Sequence, residues 1–277
     1  LLLNAFPFIR QNWDWTTFRI MGVLQRIALA YGLASIIAIR FDFKQIIQII
    51  SGILLAYWAL LWFGSSGNPY EVESNFVRIF DMWILGENHL WSGFGLQFDP
   101  EGLLSTFPSV GTVLLGYLAG GMIQTSKQYS DCAKRMAIFG FGLTIIGFIW
   151  GFIFPINKAL WTSSYVLFTG GIALLVLSAL TWIIDGKQWK KPFWIFEVFG
   201  TNSLFIFVGS GLWAKTILKI KFTLEENTIS GYGYLYQTIF QPFAGDLNGS
   251  LLFALSHVLG WWFILYWLYR KKIFIKL

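Results

Sequence analysis

Apolar residues gather in seven long, nearly unbroken stretches, at about 18–39, 45–63, 103–123, 136–154, 160–184, 193–213 and 251–269. Each is close to the roughly 20 residues that a helix needs to cross a hydrocarbon core about 30 Å thick. Backbone polar groups find no partner in lipid, so a spanning segment is either a helix or part of a closed barrel. Barrel strands alternate with a period of two, and these continuous runs do not. The pattern therefore predicts an all-α, polytopic transmembrane helix bundle with seven full spans. The opening Leu1-Leu2-Leu3-Asn4-Ala5-Phe6-Pro7-Phe8 reads as the last two turns of a further, partial helix, and so as the end of a segment from a longer protein. Pro108, Gly111, Gly116, Gly120 and Gly121 interrupt the third stretch, and Gly140, Gly142, Gly147 and Gly151 recur in the fourth. Small residues let helices approach closely, and packing is the role expected of these.

Composition agrees with that class. Hydrophobic residues make up 56% of the 277 and charged ones 12%, against about 25% charged in soluble domains. Fifteen Trp and 28 Phe suit a protein with two lipid interfaces and an acyl core. A single cysteine, Cys132, rules out a disulfide framework and a multi-thiolate site, and His89 and His257 are far apart, so no metal is expected. The net charge of +6 comes from bases dispersed at the ends of apolar runs. That pattern fits membrane anchoring, so the expected environment is a lipid bilayer and no nucleic-acid partner is expected. One set of loops, with the C-terminus, carries 12 Lys and Arg and the alternate set 7, which predicts a cytoplasmic C-terminus and places the loops at 64–102 and 214–250 on the other face. No basic n-region with a small-residue cleavage site opens the sequence, so no signal peptide is expected; no Walker loop or GxSxG elbow is present, and a homo-oligomer is a possible assembly.

Ionisable side chains inside a span are costly and mark candidate sites. Arg19 and Arg26, with Gln25 between them, fall in the first stretch seven residues apart, which puts the two guanidiniums on one face of a helix. They would hold an anion such as a phosphate, or a structural carboxylate from a neighbouring helix. Phe98-Asp99-Pro100-Glu101-Gly102 precedes the third span. It reads as a tight turn with Glu101 in the first helical turn, or as two carboxylates at the mouth of a cavity, able to take a proton from an amine or grip sugar hydroxyls. Pro155-Ile156-Asn157-Lys158-Ala159-Leu160-Trp161-Thr162-Ser163-Ser164 is a polar re-entry on the same face. At helical spacing Asn157, Trp161 and Ser164 share one stripe, an amide, an indole and a hydroxyl of the kind that line sugar sites, with interfacial anchoring of Trp161 as the alternative. Glu197 would snorkel or pair with a loop lysine, Asn202 and Ser203 fall near the middle of the sixth span, and His257 is expected to make an interhelical hydrogen bond.

Taken together these places resemble the heparan-α-glucosaminide N-acetyltransferase family, including its bacterial membrane relatives linked to amino-sugar use. The resemblance rests on Gly22-Val23-Leu24-Gln25-Arg26, Leu85-Gly86-Glu87-Asn88-His89-Leu90, Phe98-Asp99-Pro100-Glu101-Gly102, Pro155-Ile156-Asn157-Lys158-Ala159-Leu160-Trp161 with Ser164-Tyr165-Val166, Asn202-Ser203, and Tyr269-Arg270-Lys271-Lys272-Ile273-Phe274, in family order. It implies one transmembrane acyltransferase-like domain over 1–277 in a bacterial inner (plasma) membrane. It also implies acetyl-CoA as co-substrate on the cytoplasmic side, an amino sugar or glycan terminus as acceptor across the membrane, and a functional histidine upstream of this sequence. On that reading Asp99 and Glu101 orient the amine, Asn157, Lys158, Trp161 and Ser164 hold the sugar, and Arg19, Gln25, Arg26, Asn202 and Ser203 serve the donor. A rival of a different class uses the same groups as the transport site of an N-acetylglucosamine or amino-sugar permease.

Overall fold

The computed structural model describes Phe6, residues 15–224 and residues 227–275, so the partial helix expected at 1–8 lies outside the described residues but for Phe6. The helices are α1 (Val23–Arg40), α2 (Phe43–Gly64), α3 (Phe76–Leu85), α4 (Leu103–Thr125), α5 (Tyr129–Trp150), α6 (Ser163–Leu180), α7 (Trp194–Thr201), α8 (Ser203–Lys219), α9 (Gly231–Leu235) and α10 (Gln241–Arg270). Among the described residues six helical segments are long and apolar enough to cross a membrane, or seven when the bent pair α7 and α8 counts as one span. The protein is an all-α integral membrane protein. Its described residues divide into two compact units, 15–189 and 190–275 with Phe6.

In the first unit, α1 starts five residues later than the hydropathy pattern suggests. Gly22 precedes it in an extended conformation (φ 170°, ψ 178°), and residues 18–22 form no helix. The next helix opens on a full capping box, in which Gln45 N–H donates to Asp42 Oδ1 at 2.9 Å and Asp42 N–H to Gln45 Oε1 at 3.0 Å. The core is made where Ile46, Ile50 and Leu54 of α2 meet Val110 and Leu114 of α4 and Val166 of α6, with Ala30 and Ala34 of α1 against them. A second cluster, Tyr57, Leu61, Val77, Phe98, Phe154 and Leu160, packs the ends of these helices against α3 and the loops.

Not every glycine serves packing. A Cβ at Gly147 would lie 2.4 Å from Phe168 N, one at Gly171 2.5 Å from Thr144 N, and one at Gly140 2.9 Å from Gly171 O, so α5 and α6 touch backbone to backbone. At Gly116, Gly120 and Gly142 a Cβ would meet nothing within 4 Å among the described residues, so these three pack closely against none of them.

In the second unit the sixth predicted span is two helices bent by 65°. The break falls at Asn202 (φ −134°, ψ 41°). Its amide leaves helix bonding for the C-terminal segment: Nδ2 donates to Ile273 O at 3.1 Å, and Ile275 N–H donates to Oδ1 at 2.8 Å. A short antiparallel hairpin, β1 (Lys221–Leu224) with β2 (Asn227–Ser230), occupies part of a loop for which hydropathy predicts no element. Four-residue strands are too short to leave a periodic signal. The last helix is kinked at Gly245 (φ 75°), a backbone conformation that favours glycine.

Candidate functional site

Four residues just before α4 organise the site. The backbone turns at Asp99-Pro100-Glu101-Gly102, closed by Gly102 N–H donating to Asp99 O at 2.9 Å, with Glu101 N–H donating to Asp99 Oδ1 at 3.0 Å. The expected tight turn is present. Glu101, however, stands before the helix rather than in its first turn, because Gly102 is the N-cap and Leu103 the first helical residue. The carboxyl group at this helix N-terminus is that of Asp81 of α3, whose Oδ1 accepts Leu104 N–H at 3.0 Å. Sequence reasoning overlooked Asp81. Its one signal was an isolated acid within Phe76-Val77-Arg78-Ile79-Phe80-Asp81-Met82-Trp83, a segment otherwise short and apolar.

Asp81 is 1% exposed, and its Oδ2 has no hydrogen-bond partner among the described residues. A Cβ at position 102 would fall 1.8 Å from that oxygen, so only glycine fits there. Burial pushes the Asp81 carboxyl up to about 7; the neighbouring Asp99 adds to the rise, and the bond from Leu104 N–H opposes it.

Arg19 and Arg26 do not share a helical face, since the chain is not helical before Val23. They reach the same turn from two directions. Arg19 grips Asp99 with both fork positions, Nε to Oδ2 at 2.8 Å and Nη2 to Oδ1 at 2.7 Å, and its Nη2 also reaches Glu101 Oε2 at 2.6 Å. The guanidinium thus pairs with two carboxylates of the turn before α4. Trp91 lies under the guanidinium, 5.9 Å from Cζ to the ring centroid. Arg26 is buried and donates to Pro100 O at 2.5 Å and to Ser105 Oγ, while its Nε has no partner among the described residues. Its Cζ sits 4.8 Å from the Trp161 ring centroid, and Trp161 Nε1 donates to Thr112 Oγ1 at 3.2 Å. Trp161 takes a left-handed backbone (φ 52°), uncommon for a residue with a large side chain. His89 Nδ1 donates to Phe18 O at 2.7 Å, tying the outer loop to the non-helical stretch that carries Arg19.

The remaining expected site residues are placed differently. Asn157, Trp161 and Ser164 do not share a helical stripe, because 157–162 form a turn and α6 starts at Ser163. Asn157 Oδ1 accepts from Ala159 N–H at 2.8 Å and Leu160 N–H at 3.3 Å, which fixes the turn from within. The buried Ser164 Oγ donates to Phe154 O at 2.5 Å and lies 3.1 Å from Thr162 Oγ1, while Lys158 is exposed. Gln25 Nε2 donates to Ile20 O at 3.2 Å. In the second unit Asn202 is bound to the C-terminal segment, Ser203 is exposed at the start of α8, and Glu197 accepts from Tyr269 OH at 3.1 Å rather than from a lysine. His257 bonds within its own helix, Nδ1 donating to Phe253 O at 2.9 Å, where an interhelical bond was expected.

Glu101 keeps one carboxylate oxygen clear of Arg19 and a side chain 26% exposed, whereas the Asp99 side chain is fully covered and doubly held. Of the paired carboxylates, Glu101 is therefore the one an arriving amine or hydroxyl can meet.

Over 95% of its length the chain is 25% identical to human heparan-alpha-glucosaminide N-acetyltransferase, an alignment of 318 positions that takes in 45% of the human protein. The mouse heparan-alpha-glucosaminide N-acetyltransferase matches at the same identity over 320 positions, again across 95% of this chain and 45% of the relative. No family model matches the chain. The chain thus spans less than half the length of the curated relatives it matches, and the similarity, low in identity but nearly continuous along the chain, supports a distant family relationship.

Proposed function

We propose that the protein is a membrane acyltransferase that moves an acetyl group from acetyl-CoA to the amine of a glucosamine-type sugar on the opposite side of the bilayer. The observation that carries this reading is the similarity to two N-acetyltransferases along 95% of a chain of membrane-crossing helices. The cluster at the head of α4 gives it a chemical location. The amine arrives protonated and gives one proton to the Glu101 carboxylate before its lone pair attacks the thioester carbonyl; the C–N bond forms, the C–S bond breaks, and the second proton that the nitrogen loses on becoming an amide goes to the departing thiolate of CoA. Glu101 receives the ammonium and accepts a hydrogen bond from it, and Asp99 keeps Arg19 in place beside it. Arg26 and Trp161 brace the turn from the membrane side, with Asn157, Lys158 and Ser164 shaping the adjoining sugar-facing loop. Gln25, Asn202 and Ser203 are assigned to the donor path, and the C-terminus to the cytoplasm of a bacterial inner membrane.

The test uses the full-length protein in sealed proteoliposomes, with labelled acetyl-CoA on one side and glucosamine or a short glucosaminide on the other. Labelled N-acetyl sugar on the acceptor side is the expected result, and Glu101→Gln lowers its rate about 10²- to 10⁴-fold at unchanged protein yield. Label that stays on CoA while acceptor is present on the far side overturns the reading; undiminished turnover in Glu101→Gln removes that residue from the reaction.

A further inference from the structure

The second unit holds a cavity of about 620 Å³, within the ~300–1,000 Å³ of small-molecule sites. It lies between α8 and α10, both within membrane-crossing segments, and no charged side chain lines it. Apart from the indole N–H groups of Trp213 and Trp261, its aromatic and aliphatic walls carry three polar groups: Thr216, Ser256 and His257. Each has its proton already committed. Thr216 Oγ1 donates to Leu212 O at 2.8 Å, and Ser256 Oγ donates to Phe253 O at 2.7 Å. The partner of His257 Nδ1, at 2.9 Å, is the same carbonyl, and a carbonyl can only accept, so the ring proton sits on Nδ1. With that proton on Nδ1, Nε2 of the neutral ring presents a lone pair. Tyr232 and Phe253 flank the imidazole, with centroids at 5.1 and 4.5 Å, and fix its plane. The hydroxyls and the imidazole therefore offer acceptors, and nothing among the lining residues neutralises an anion.

From this we infer that the cavity binds a neutral amphiphile with a single apolar chain and a hydroxyl head, the head donating to His257 Nε2 and the chain lying along α8 and α10. Such a ligand has a direct route in. Leu255, Leu259 and Phe263 on the outer side of α10 are exposed and apolar, the composition of a lipid-facing surface. Room is left by Gly260, where a Cβ would meet nothing within 4 Å. A carboxylate or phosphate head would find three acceptors, two neutral indole donors and no cation to offset its charge, which sets the preference against anionic lipids and acyl-CoA. The inference is independent of the acyl-transfer proposal, since every lining residue belongs to the second unit.

The experiment compares two photoreactive probes of equal chain length, a long-chain alcohol and the matching carboxylate, each with a diazirine in the chain, on the full-length protein in lipid nanodiscs. Labelled peptides are located by mass spectrometry. The alcohol is expected to label 203–270 about tenfold more than the carboxylate, the worth of one hydrogen bond at membrane depth. His257→Phe, which keeps an aromatic ring but removes the acceptor, brings the alcohol down to the carboxylate level, and Gly260→Leu, which fills open space, suppresses both. Equal labelling by the two probes overturns the inference, as does alcohol labelling that either variant leaves unchanged.

Discussion

Arg19 and Arg26 meet one four-residue turn by different chemistry, and the difference follows from where each side chain starts. Arg19 leaves an extended stretch and can lay its fork flat against Asp99, whereas Arg26 leaves the first turns of α1 and reaches only a carbonyl, a hydroxyl and the face of Trp161. Replacing Arg19 by Lys keeps the charge but loses the two-point grip. Asp81 carries a pH prediction. Its folded carboxyl sits at about 7 instead of the ordinary 3.8, so the folded chain binds a proton that the unfolded chain has released. Stability from this residue is present below about pH 4 and is lost as pH rises through about 7. Thermal unfolding in detergent should therefore find Asp81→Asn, which keeps the shape without the charge, more stable than the natural protein at pH 8 by a few kcal/mol, on the order of the shift involved. The advantage should shrink as pH falls toward 4. An equal offset at both pH values would remove Asp81 as the source.

At the scale of elements, α5 and α6 are joined by backbone contact. Gly147→Ala pushes a methyl against Phe168 N and should destabilise the protein by ~1–3 kcal/mol, the usual cost of overpacking. Gly142→Ala, on the same helix but facing open space, should be neutral or slightly stabilising through helix propensity. Comparing the two melting curves checks this: equal losses would mean that helix context, rather than close approach, sets the cost. Hydropathy could not separate these glycines, because it records how many small residues a helix has and not which face they occupy. The same limit explains α7 and α8. Their apolar run is continuous in sequence, but the side chain of Asn202 binds backbone 71 and 73 residues away and breaks the helix there.

For the molecule as a whole, the excess of Lys and Arg around 40–44, 124–135, 185–192 and the C-terminus is the basis of the proposed orientation, in which those segments face the cytoplasm. The only cysteine, Cys132, is buried, which makes a labelling test simple. In a Cys132→Ala background, Lys158→Cys should react with an impermeant maleimide added outside intact cells and Lys127→Cys only after permeabilisation; the reverse pattern would invert the topology. The sequence by itself determined the class, the number of apolar segments and the turn at Asp99–Gly102, because hydrocarbon thickness and turn chemistry act on neighbouring residues. It also marked Arg19, Asp99, Glu101, Arg26 and Trp161 as residues needing a reason. Only the tertiary structure decided how they combine. Arg19 meets carboxylates 80 and 82 positions away, Arg26 meets a carbonyl 74 away, and Asp81 meets the head of α4 23 away. A buried charge requires a partner, but that requirement does not say which one. The choice is made by helix packing, which brings distant residues within hydrogen-bond distance and leaves no trace in local hydropathy.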